Sequence, residues 1–246
     1  MNKTQILIAL VILSLFGMSS VYIDLSELVG SNNEEAVVPE KKVKHGEVRQ
    51  YTKDQRLKTV VNYNQGIKHG TSYLYHDDGE TVLLAMPYVN GKREGVSEKF
   101  YENGNLYAST SYMNDKLHGP RKLFYSNSQS KAVINYGYGH VGIGTVEYLI
   151  NGEEKEAITI TTQKEGSKIW LDTSSPCKDT QFYIGSLIED TFLNPVDKNI
   201  KSLMREGDRY YVDTEVHTPS YLKYQDIICS CESSQGNPII LKSRLF

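Results

Sequence analysis

A chain of 246 residues with 27 basic and 30 acidic side chains has a formal net charge of −3, so it lacks the basic excess of an electrostatic nucleic-acid binder. It holds 18 Tyr against 6 Phe and 1 Trp, a bias toward pleated, half-wet surfaces that disfavours a Leu-rich helical bundle. Three Cys are too few for a disulfide-dense mini-scaffold, and composition leaves a β-rich chain of one or two domains with no enzyme class implied.

Lys3 precedes an unbroken apolar run from Ile6 to Phe16, and the small residues Gly17, Ser19 and Ser20 follow. A positive start, a short apolar core and a small-x-small site at Gly17-Met18-Ser19 describe a secretory signal peptide. Extended through Ile23, the run is about 18 residues long, enough for an apolar helix to span a bilayer if it is left uncleaved. Residues 1–23 therefore read as a signal peptide or an N-terminal membrane anchor. Both readings place the body of the protein outside the cytoplasm, periplasmic or facing outward from the membrane. No Cys follows the apolar core, which excludes lipoprotein-type acylation. Residues 24–44 read as a flexible linker, because Gly, Asn, Pro and mixed charge dominate them.

From residue 45 the chain repeats itself. Tyr63, Tyr88, Tyr112 and Tyr136 recur at intervals of 25, 24 and 24. Three residues after each Tyr comes a turn residue (Gly66, Gly91, Asp115, Gly139), and Gly70, Gly95 and Gly119 open the next stretch. A second series of turn signals is Asp78-Gly79, Asn103-Gly104 and Asn151-Gly152, pairs that tolerate the positive φ of tight hairpins. Between the turns the period is two, as in Val82-Leu84-Met86-Tyr88, Leu106-Ala108-Thr110-Tyr112 and Leu57-Thr59-Val61-Tyr63. Each unit predicts two strands and two turns, and residues 45–156 predict an antiparallel meander in which the four Tyr form a column on one face. Tyr suits a face that a single sheet leaves wet, since its ring packs while its hydroxyl stays solvated.

Tyr88-Val89-Asn90-Gly91-Lys92 and Phe100-Tyr101-Glu102-Asn103-Gly104 carry a pattern that resembles the MORN-repeat-variant proteins of bacteria. The resemblance spans residues 45–156 and departs at Asn114-Asp115, at Ser126-Asn127-Ser128 and in the loose last unit. It implies a single-layer β-hairpin sheet and a binding module without catalysis. Bacterial members are often labelled antitoxins of toxin–antitoxin systems, and relatives with the standard repeat are associated with scaffolding and membranes.

Candidate chemistry gives way to plainer explanations. His45, His69 and His118 occupy equivalent repeat positions, about 9 to 10 Å apart from the spacing of strands, too far to share one zinc, and Glu94 breaks the series. Gly137-Tyr138-Gly139-His140-Val141-Gly142 fits a dinucleotide fingerprint by letter, but a strand-like stretch follows where the motif needs a helix N-terminus. Asp77-Asp78, Glu153-Glu154 and Glu189-Asp190 read as solvated turn charge. No catalytic residue, metal, nucleotide or other cofactor is expected.

Cys229-Ser230-Cys231 places two thiols on one face of a strand, and in an oxidising compartment Cys177 pairs with Cys229 or Cys231. A zinc site with His217, a redox-active thiol and free core thiols are the other readings, and an odd count leaves one thiol over. Beyond residue 156 the repeat vanishes. Strands are predicted at 157–162, 168–171, 181–188, 209–216, 221–229 and 238–245, with a short helix over 198–205. Residues 157–246 form a small β-rich C-terminal domain, either a cap on the open sheet or a separate ligand-binding domain.

The expected fold is thus mainly β: an apolar N-terminal helix, a repeat sheet and a β-rich C-terminal domain. The expected function is a non-enzymatic, extracytoplasmic binding or scaffold protein meeting a protein or cell-envelope component through Tyr63, Tyr88, Tyr112 and Tyr136. The alternative is an antitoxin or immunity protein that neutralises a partner toxin by direct binding. An enzyme in the C-terminal part has no supporting constellation.

Overall fold

The computed structural model describes residues 43–245, so the apolar segment 1–23 and most of the linker lie outside the described residues. The repeats form one antiparallel sheet. Its first strands are β1 (Gly46–Tyr51), β2 (Leu57–Asn64), the two-residue β3 (Ile67–Lys68) and β4 (Gly70–Tyr75). The next unit gives β5 (Val82–Val89), β6 (Lys92–Arg93) and β7 (Gly95–Phe100), followed by β8 (Leu106–Met113) and β9 (Lys116–Phe124). β10 (Ser130–Gly137), β11 (His140–Val141) and β12 (Val146–Glu147) close it.

The turns behave as their residues require. Gln65-Gly66, Asn90-Gly91, Asn114-Asp115 and Tyr138-Gly139 all have two consecutive positive φ angles, the two-residue hairpin geometry that matches strand twist. Asn114-Asp115 reaches it without glycine because the Asp115 carboxylate accepts hydrogen bonds from the Arg93 amide at 2.9 Å and from its guanidinium. Each unit is also tied to its predecessor through backbone. The amides of Gly66, Gly91, Asp115 and Gly139 donate to the carbonyls of Lys44, Lys68, Arg93 and Leu117. At the opposite end His76 contacts the Phe100 carbonyl, while the hydroxyls of Tyr101 and Tyr125 donate to the carbonyls of Phe124 and Tyr148.

Strict alternation does not extend through whole strands. Each unit carries a β-bulge, at Lys58, Leu83, Tyr107 and Lys131, where the register skips a residue, and β8 with β9 shows a further irregularity between Thr110 and Tyr112. A bulge leaves one residue unpaired, shifts the phase of alternation and increases local twist. Leu57, Val82 and Leu106 therefore lie beyond a phase break, and only Thr59-Val61-Tyr63, Leu84-Met86-Tyr88 and Ala108-Thr110-Tyr112 keep the expected common face.

Two four-stranded sheets follow. Their strands are β13 (Ile160–Glu165), β14 (Lys168–Thr173), β15 (Lys178–Gly185), β16 (Ile200–Ser202), β17 (Met204–Glu206) and β18 (Arg209–Asp213). A single helical turn α1 (Pro219–Leu222) precedes β19 (Asp226–Glu232) and β20 (Pro238–Ser243). One sheet has the order β13-β14-β18-β17 and the other β16-β15-β19-β20.

The second of these sheets is buried on both faces. Phe182, Ile184, Ile227 and Cys229 pack with Leu171 and Val212 of the first sheet. Tyr183, Ile228 and Ile240 join Leu187, Leu193 and Ile200 against Val141 and Ile143 of the last repeat. Burial on both faces explains the consecutive apolar residues Phe182-Tyr183-Ile184 of β15 and Ile227-Ile228-Cys229 of β19. From Val43 onward, repeat sheet and C-terminal sheets belong to one compact unit.

The helix expected over 198–205 is absent. Ile200 pairs with Gly185, the Leu203 amide donates to the Phe182 carbonyl, and Met204 pairs with Tyr211. The segment crosses from one sheet to the other, burying Ile200 and Leu203 in different core layers, and tertiary pairing overrides its helical spacing. The strand expected over 221–229 starts only at Asp226, because Pro219 initiates a helical turn.

The glycines of the nucleotide-like motif have a packing cause. The Phe192 ring lies on Gly137 and Gly142, where an added Cβ would meet ring carbons at 2.5 and 2.9 Å. The position equivalent to Gly137 one pair of units earlier is Val89. Gly137→Val is expected to displace the ring and cost about 1–3 kcal/mol. A urea midpoint equal to the parent's would refute that seating.

Candidate binding surface

The repeat period brings Tyr63, Tyr88, Tyr112 and Tyr136 to equivalent heights on one face of the sheet, paired with Lys68, Arg93, Leu117 and Val141 across the tight turns. Each cation also reaches the ring of the following unit. Lys44 Nζ lies 5.2 Å from the Tyr63 centroid, Lys68 Nζ 4.9 Å from Tyr88, and Arg93 4.6 Å from Tyr112. The face is therefore a column in which tyrosines alternate with cations. Each ring–cation contact contributes about 0.5–1 kcal/mol at a wet site, and the aliphatic stems cover ring edges.

The fourth position differs. Leu117 replaces the cation, and Tyr136 is only 8% exposed, packed with Ala108, Leu123, Ala132 and Ile134. Tyr63, Tyr88 and Tyr112 remain half-buried on the open part of the face, while Tyr136 is a core residue rather than part of the surface. Sequence reading found the tyrosines and missed their cations. The signal was present, since Lys44, Lys68, Arg93 and Leu117 recur at 24, 25 and 24.

The C-terminal sheets leave that open part uncovered. Their hydrogen bonds to the repeat sheet reach Tyr125, Tyr138, Val141, Ile143, Thr145, Glu147 and Tyr148, all in the last units. The docking centres on Glu147. This carboxylate accepts hydrogen bonds from the Ser233 hydroxyl, from Asn237 Nδ2 at 2.6 Å and from Lys155 Nζ at 2.9 Å. Burial would push its pKa up, but these three donors together outweigh burial and hold it below the ordinary value.

The other candidates are structural. The Gln65 amide contacts His45 Nδ1, the Asn114 amide donates to Glu94 Oε2 at 2.8 Å, and His118 meets the Tyr138 ring edge-on. Among the described residues no cluster of three metal-capable side chains occurs. Asp78 closes a turn, its pKa held at about 2 by hydrogen bonds from the Thr81 hydroxyl and the Glu80 and Thr81 amides. Glu189 accepts from the Tyr138 hydroxyl, and Asp190 pairs with Lys242. Cys177 is bonded to Cys231, their Cα atoms 5.7 Å apart, and Cys229 is a free, buried thiol. His217 stacks on Tyr221.

Between the column and the bulges runs a groove of about 310 Å³, floored by Leu84, Met86 and Ala108 and flanked by Tyr107, Lys99 and Arg121. It opens on the same face, with Tyr112 and Leu117 among its lining residues.

Residues 93–114 match the family described as MORN repeat variant, a segment running from the cation of one unit to the turn of the next. No curated protein matches the chain.

Proposed function

We propose that this chain is a non-enzymatic binding or scaffold protein whose repeat sheet contacts a protein or cell-envelope partner. The carrying observation is the column of Tyr63, Tyr88 and Tyr112 under Lys44, Lys68 and Arg93, on a stretch of sheet that no C-terminal element covers. Tyrosine supplies large contact area at low entropy cost, and Arg and Tyr are the residues that dominate interface energetics. The match to a MORN repeat variant agrees, since MORN repeats commonly serve in protein or membrane binding. The apolar run Ile6–Phe16 further supports export or anchoring outside the cytoplasm.

Affinity capture from the native host with the tagged full chain tests the reading. The triple variant Tyr63→Ser/Tyr88→Ser/Tyr112→Ser is expected to lose the captured partner while keeping its circular dichroism. Undiminished capture by a folded variant would move the contact to the C-terminal sheets. Recovery of a single stoichiometric toxin would make the protein an immunity factor. Fractionation of cells expressing the full chain tests location, and recovery in the cytosol would sink the extracytoplasmic part.

A further inference from the structure

Charge is distributed unequally over the two faces of the repeat sheet. The residues sharing the tyrosine face from β2 to β9 include Lys68, Arg93, Lys99 and Arg121 and no Asp or Glu. Glu98 and Lys122 belong to the opposite face, on either side of Ser109 in the ladder. At the turns beside the column, the Asp115 carboxylate is spent on Arg93 and that of Glu94 accepts from the Asn114 amide. Glu147, at the far edge, is occupied by Lys155, Ser233 and Asn237.

Lys99 and Arg121 are left without an anion. Among the described residues neither forms an ion pair. Lys99 lies over the Tyr107 ring at 5.1 Å. Arg121 Nε is buried and has no hydrogen-bond partner, although a buried donor left unsatisfied carries a desolvation penalty. Both cations border the same groove. Lys99 pairs with Ala108 and Arg121 with Thr110, so they stand on adjacent same-face rungs with β8 between them, their backbones about 12 Å apart on the diagonal of two strand spacings and two residues of rise.

We propose that this groove is an acidic-peptide site: it takes an extended segment of a partner protein, placing an Asp or Glu carboxylate between Lys99 and Arg121 and an apolar neighbour on Leu84, Met86 and Ala108. The proposal deepens the scaffold reading and rests on it. A fork of guanidinium and ammonium groups favours a carboxylate through charge-assisted hydrogen bonds, and the apolar floor beside it selects an acid carried next to an aliphatic side chain. An inserted side chain reaches the recessed Arg121 Nε. A flat layer of lipid headgroups meets the exposed rim instead.

Fluorescence anisotropy of the full chain with labelled peptides of alternating Glu and Leu, Gln and Leu, or Lys and Leu, eight residues each, tests the site. The Glu peptide is expected to bind about tenfold or more tighter than the Gln peptide, the ratio for one charge-assisted contact made out of water, and the Lys peptide not at all. Arg121→Gln and Lys99→Gln should each remove most of that preference. Arg121→Lys should retain part of it, and Lys122→Gln, on the opposite face, should leave it unchanged. Thermal melts of each variant separate loss of binding from loss of fold. Equal binding of the three peptides, or a preference indifferent to both Lys99 and Arg121, overturns the proposal. So does Arg121-dependent binding to phosphatidylserine vesicles without a peptide preference, which would make the site a membrane contact. Capture that needs the tyrosines alongside indifference to peptide charge sinks only this site. A charge preference that needs Lys99 and Arg121, with capture indifferent to the tyrosines, sinks the tyrosine column as the contact and spares the site.

Discussion

Glu147→Ala is expected to destabilise the protein by about 3 kcal/mol at neutral pH, the low end for breaking a buried ion pair. Glu147 is 7% exposed, and its removal leaves Asn237 Nδ2 and the Ser233 hydroxyl without their acceptor in the turn between β19 and β20. The low end applies because the Lys155 side chain is 26% exposed and can turn to water. The same contact predicts a pH dependence. The folded pKa of Glu147 lies below its ordinary 4.5, so its stabilising contribution is complete above the unfolded value and drains away as pH falls through the folded one. Urea midpoints of parent and Glu147→Gln should therefore differ most at neutral pH and converge in acid. A difference that persists unchanged below the folded pKa would show that the charge of Glu147 is not what joins the last repeat to the β19–β20 turn.

Reducing the Cys177–Cys231 bond, or replacing Cys231 by Ser, should cost still more. The bond closes a sequence separation of 54 residues, and the loop-entropy relation gives about 4 kcal/mol for a closure of that length. Cys229→Ala supplies the control. Cys229 sits in the same core cluster as Cys177 and Cys231, so its truncation leaves a small cavity but does not alter the response to reductant. If Cys229→Ala abolished the effect of reductant, the bridge would run from Cys177 to Cys229 instead. Alkylation gives an independent readout. Burial, with the Asp172 charge as a lesser cause, pushes the Cys229 thiol up to about 12, and thiolate is the reactive form. Native protein should take up no iodoacetamide, and unfolded, unreduced protein should take up one equivalent.

Both effects act on long-range contacts, and these are what the sequence left illegible. Glu147 read as an ordinary residue of a degenerate repeat, because its partners lie 86 and 90 positions away. The 198–205 segment carried helical spacing, and nothing local told that Ile200 and Leu203 would be claimed by two different core layers. The bulges at Lys58, Leu83, Tyr107 and Lys131 were hidden for another reason. A bulge changes pairing with the neighbouring strand, whereas the period-two pattern reports only one strand at a time. Arg121 and Lys99 were invisible as a pair because they stand at non-equivalent positions of different units, and only the ladder sets them side by side.

The repeat itself was written in the chain. A 24- or 25-residue period with turn residues at fixed offsets dictates hairpins wherever it occurs, since positive φ at Asn90-Gly91 or Gln65-Gly66 and alternation between turns are local steric facts. Stacking identical hairpins then obliges Tyr63, Tyr88 and Tyr112 to share a face. The tertiary structure decided which of the four tyrosines stays open, which cysteine is bridged, and where the second set of sheets attaches. The attachment depends on what the far end of the chain brings against the last unit, the bridge on the β15–β19 register that sets Lys178 opposite Glu232, and the burial of Tyr136 on the side chains packed round it. Tyr136 holds the same repeat position as Tyr63, yet it is buried because Leu117 and Val141 surround it where Lys44 and Lys68 surround its counterpart.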